Sequence, residues 1–141
     1  MINERDVIRM KVPYPNISSQ LAVQAHMYIC KSAENAAFSF IKCQTLKPYM
    51  LLKNPLKHYV DEYANVARNP FKRTTRIDCD KLFSTKKVNY SKKMCATVRA
   101  DVCQELYDDV ISELKQDGWL DIPISDEKQL ANINPLITYT E

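Results

Sequence analysis

Apolar and polar positions alternate along DVIRMKV (6–12). Ile8, Met10 and Val12 share one side and Arg9 and Lys11 the other, which predicts a half-buried strand with a basic exposed face. Pro13 and Pro15 end it in a polar turn, PYPNISSQ, that carries Tyr14. The stretch AVQAHMYIC (22–30) alternates again, with Val23, Ala25, Met27 and Ile29 opposite Gln24, His26 and Tyr28. A polar turn over 31–37 and a strand over 38–46 complete a predicted antiparallel hairpin. Asn54, Pro55 and the stripe Leu56, Tyr59, Val60, Tyr63 and Ala67 predict a helix over 55–68, with His58 off its apolar side and exposed.

TTRIDC (74–79) reads as a strand that turns Arg76 and Asp78 to one face, beside Thr74. Residues 81–93 form a basic connection anchored by Leu82 and Phe83, and MCATV (94–98) reads as a last strand. From Asp101 an apolar stripe running from Val102 through Leu106, Val110 and Leu114 predicts an amphipathic helix near 101–116, with Gly118 as its C-cap. About five short strands with a late helix place the chain in the α+β class, as a small antiparallel barrel. Residues 1–118 make the domain. Residues 119–141 form an acidic C-terminal tail that either wraps it or frays.

Composition narrows the function classes. A chain of 141 residues is one domain. Its five cysteines are odd in number and contain no C-x-x-C pair, so reduced thiols are expected and neither a metal site nor a cofactor. No apolar run nears the ~20 residues of a membrane span, and MINERDVIRMK does not read as a signal peptide. A cytoplasmic protein with no membrane partner is the expectation. Charge is divided unevenly. Residues 1–100 hold 18 Lys+Arg against 7 Asp+Glu, a net +11, whereas residues 101–141 hold 2 against 10, a net −8. A basic body suits a nucleic-acid partner, although such a surface is often merely solvated.

Candidate chemistry gathers on the strands. His26 projects from its strand between Gln24 and Tyr28, and an imidazole near pKa ~6.5 suits proton transfer. Arg76 and Asp78 bring a cation and a carboxylate together. Tyr14, Tyr28 and Tyr49 are candidates for stacking bases, and Lys11, Lys42 and Lys47 for contacting phosphates. Each has an ordinary structural alternative: a hydrogen-bonded histidine, a cross-strand ion pair, packing tyrosines and solvated lysines.

The Asp6-Val7 opening, the AHMYIC strand, Thr45 at the end of the next strand and the late strand–connection–strand–helix unit together resemble the MazF/PemK toxin family over residues 3–115. That resemblance implies an SH3-like barrel and a homodimer. It also implies metal-independent cleavage of single-stranded RNA by 2′-hydroxyl attack, and an acidic antitoxin segment as partner. Arg5-Asp6 stands where the family has Gly-Asp, Gln24-Ala25 where it has Arg-Pro, and Phe83-Ser84-Thr85-Lys86 where it has Arg-Thr-x-Asp. The candidate catalytic set is therefore His26, Thr45, Arg76 and Asp78, with Lys11, Tyr14, Gln24, Tyr28, Lys42 and Lys47 binding RNA. The alternatives are a catalytically inactive module of that fold binding RNA or a protein partner, as a regulator or inhibitor from a mobile element, and a structural domain acting through its dimer surface. The acidic tail invites comparison with RNA as an occupant of the groove.

Overall fold

The computed structural model describes residues 1–12, 25–34 and 37–140. Its centre is a mostly antiparallel sheet. Strands β1 (Val7–Lys11), β2 (Ala25–Glu34), β3 (Ala37–Thr45), β4 (Tyr59–Glu62) and β5 (Thr75–Asp78) run in the order β1-β2-β3-β5-β4. β3 is long enough to serve two neighbours. Its far half pairs with β5 (Gln44↔Arg76), and its near half pairs with β6 (Lys81–Thr85), beside which β8 (Leu120–Pro123) lies parallel. A separate ribbon joins β7 (Val88–Tyr90) to β9 (Ile137–Tyr139). The helices are α1 (Pro48–Leu52), α2 (Gln104–Leu114) and α3 (Glu127–Ile133).

The α+β class is as expected, but among the described residues the sheet does not close, because the end strands β1 and β4 are not paired to each other. Both faces of its centre are buried instead. Tyr28, Cys30, Phe40 and Phe83 pack under β7, β9 and α3, while Ile29, Ile41, Cys43 and Ile77 pack under α2. The Tyr28 ring meets Phe40 and Phe83 edge-on, at centroid distances of 6.4 and 5.9 Å. Burial of each such side chain contributes roughly 1.5–3 kcal/mol, so this central strand pair is committed to packing. Residues 120–139 supply β8, α3 and β9, with Ile124, Leu130 and Ile137 in the core.

Several local expectations are corrected. No helix forms over 55–68. The Asn54 side chain accepts from the Leu56 N–H at 3.1 Å, and the Asp80 carboxylate takes the N–H groups of Lys57 and His58, which aims the chain into β4. Tyr59 and Val60 then pair with Asp78 and Ile77 across β5, so strand partners outweigh the helical spacing. The turn at 31–37 shrinks, because β2 continues to Glu34 through a one-residue slip between Cys30 and Ser32. The basic connection over 81–93 contains β6 and β7, and 94–98 contributes only a single bridge, Cys95 to Ile8. Asp101 is not the start of α2: Cys103 precedes its first turn and its Sγ accepts the Leu106 N–H at 3.4 Å. The helix ends at Leu114, capped by Lys115. Gly118 stands beyond the cap, at φ +73°, in the left-handed region that glycine enters without strain.

Candidate nucleic-acid interface

A fork in the sheet creates a cleft beside His26. The β2–β3 ladder ends at Met27↔Cys43; below that level β2 stays with β1 (His26↔Met10, Ala25↔Lys11), and β3 goes on along β5 (Thr45↔Thr75). The strands part, and a cleft of about 260 Å³ opens between them. Met27, Cys43 and Phe71 give it an apolar floor, while His26, Gln44, Thr45 and Thr75 add polar groups. Three cations, Arg9, Lys72 and Arg73, stand exposed around it.

Lys72 and Arg73 arrive on the 63–74 loop, which is built around Asn69. That side chain is 1% exposed; its oxygen accepts from the N–H of Asn65 and of Phe71, and its amide donates to Glu62 and to the Tyr63 carbonyl. Glu62 also holds Arg68 at 2.9 Å, and Arg99 donates to the carbonyls of Val66 and Ala67. An amide with all four of its bonds made fixes the loop that carries the two cations.

Among the described residues, the lining of this cleft contains no carboxylate. Among the described residues Arg9, Lys72 and Arg73 make no ion pair, and residues 13–24 contain no Asp or Glu. His26 is half-buried here. Burial holds its pKa below the usual histidine value, and Lys42 and Arg9 push it the same way, so the ring is neutral near pH 7.

Arg76 and Asp78 belong to a second cleft, of about 160 Å³, on the other side of Gln44. They share a face of β5 as expected, yet each is taken. Arg76, 5% exposed, donates from Nε and Nη2 to Asp61 at 2.8 Å each and from Nη1 to the Met50 carbonyl, with its guanidinium 4.0 Å from the Tyr59 ring centroid. Asp78 accepts from Lys81 at 2.7 Å and from the Asp80 N–H. Lys42 lines this second cleft too, its pKa lowered by burial and by Lys81.

The structure thus brings together His26 and Thr45, and separates from them the Asp61-bound Arg76 and the Lys81-bound Asp78. Tyr28 is a core residue with no exposed face for a base. Lys47 is exposed at the head of α1, and Lys11 ends β1 with its backbone N–H and C=O both bonded by the Asn134 side chain. Tyr14 and Gln24 lie outside the described residues. Sequence reasoning missed Lys72 and Arg73; the signal was a Lys-Arg pair directly after Pro70-Phe71. It also misplaced His58, which is 17% exposed and held between Glu113 (Nδ1, 3.1 Å) and Asp117 (Nε2, 2.8 Å).

Among the described residues, no helix is long and apolar enough to cross a membrane. No family model matches the chain, and neither a curated protein nor a solved structure does.

Proposed function

We propose that the protein binds single-stranded RNA, with phosphates held by Arg9, Lys72 and Arg73 around the β2–β3 fork. One observation carries this reading: three exposed cations surround a cleft whose lining, among the described residues, has no carboxylate. Uncompensated positive charge around a concave site concentrates a polyanion and contacts its phosphates. The MazF/PemK likeness of the sequence makes RNA the ligand of choice, and brings with it an SH3-like relationship for the sheet, a homodimer, an antitoxin segment as a competing occupant and a cytoplasmic setting. It is the inactive-module form of that likeness that the geometry favours, since Arg76 and Asp78 are engaged elsewhere.

His26 supports a second reading, a metal-independent endoribonuclease. A neutral imidazole is the form a general base requires, and it shares the cleft with Thr45. His26 would take the proton of a ribose 2′-hydroxyl, O2′ would bond to phosphorus, and the P–O5′ bond would break, with the leaving oxygen protonated by water. Arg73 or Arg9 then replaces Arg76 as support for the phosphorane.

One experiment separates these readings: a labelled single-stranded RNA incubated in EDTA with the protein and with His26→Ala. Binding that leaves the RNA intact supports the module. A 2′,3′-cyclic phosphate product, lost in His26→Ala, supports the enzyme instead. No binding at low salt overturns both.

A further inference from the structure

We propose that the β2–β3 fork receives the base of one unpaired nucleotide, its phosphate lying against Arg9, Lys72 and Arg73. This rests on the nucleic-acid reading above and adds what the cleft selects. A site for phosphate alone needs donors and charge. This one also has an apolar floor, formed by Met27, Cys43 and Phe71, set behind the cations. Its volume of about 260 Å³ falls just under the roughly 300–1,000 Å³ typical of drug-sized ligand sites. A single base with part of its ribose suits that space better than a larger ligand.

The fork also supplies hydrogen-bonding groups. Above Met27↔Cys43 the backbones of β2 and β3 satisfy each other; below it that mutual ladder stops, and Gln44 and Thr45 stand across the gap from Ala25 and His26. A planar base entering there meets apolar surface on its face and polar groups at its edge. This is the arrangement by which single-stranded nucleic acids are held, and a base stacked inside a duplex cannot use it. The site therefore distinguishes unpaired from paired RNA, which charge alone does not do.

The test compares three ligands by fluorescence anisotropy: a short single-stranded RNA, the same ribose-phosphate chain without bases, and the RNA annealed to its complement. Wild-type protein should bind the single strand about tenfold more tightly than the abasic chain, the scale of one held base. Ala25→Trp fills the fork and leaves the three cations in place, so it should bring the two affinities together. Thr45→Trp, at an exposed position on the opposite wall, serves the same purpose if Ala25→Trp disturbs the β1–β2 pairing. Equal, salt-sensitive binding of RNA and abasic chain by wild type overturns the base pocket and leaves phosphate binding standing. A preference that survives in a folded fork-filling variant also overturns it. If no ligand binds, the nucleic-acid reading itself fails.

Discussion

The protein has two clusters of basic side chains on either side of Gln44, and they differ in what answers their charge. Around the second cleft two cations are answered by carboxylates: Arg76 forks onto Asp61, and Lys81 sits on Asp78. Around the fork, Arg9, Lys72 and Arg73 face a lining that, among the described residues, has no carboxylate. Residue type is the same in both places, and only the partners differ. A cation already paired inside the fold is costly to remove and has little left to offer a ligand; an exposed one without a carboxylate contributes little to stability and is available to a phosphate. The contrast assigns structure to one cluster and binding to the other.

The strongest way to break that contrast is Arg76→Ala. Removing one member of a buried pair typically costs 3–5 kcal/mol, and with Asp61 about one-third exposed the expected loss here is roughly 2–3 kcal/mol. Urea denaturation measures it. The folded variant should keep the salt dependence of RNA binding, and a change in that dependence would move Arg76 into the interface.

Next comes a paired comparison. Lys72→Ala should leave stability within ~0.5 kcal/mol of wild type and lower the slope of log K against log salt by ~0.7, one phosphate contact on a single strand. Lys81→Ala should do the reverse, destabilising by roughly 1 kcal/mol because the 7%-exposed Asp78 loses its cation, with the slope unchanged.

The two histidines give smaller effects of opposite sign. The His26 pKa is lowered in the folded protein, so the unfolded chain binds more protons just below pH 6.5. Stability falls as pH drops from 6.5 through the folded value, while RNA affinity rises there as the cleft gains charge; both trends should vanish in His26→Gln. The His58 pKa is raised, first by its hydrogen bond to Glu113 and then by that to Asp117. Its contribution is complete below pH 6.5 and is lost as pH rises through the folded value, so thermal scans across pH 6–8 should show a decline that His58→Gln lacks.

Much of the fold was legible where one periodicity dominated. The alternation of Ile8 and Met10 with Arg9 survives in β1, and the stripe Leu106, Val110, Leu114 is the buried side of α2. The errors arose where a distant partner decided the outcome. Leu56–Ala67 has helical spacing, but Asp80 and β5 capture that segment. Tyr28 and Arg76 were read as facing outward because alternation presumes one wet face, whereas this sheet is covered on both sides by segments far along the chain. For the site, His26 was a candidate from the strand pattern and Thr45 from the family resemblance, and both line the fork. Lys72 and Arg73 were not, because their place beside His26 depends on the end of the β2–β3 ladder and on the Asn69 loop, neither of which has a local signature.

The most direct measurement is the salt dependence of single-stranded RNA binding, by anisotropy, for wild type and for the triple variant Arg9→Ala, Lys72→Ala, Arg73→Ala. With three phosphate contacts removed, the slope of log K against log salt should fall by ~2 while the unfolding curve stays in place. An unchanged slope in a folded triple variant would contradict the fork as the RNA site.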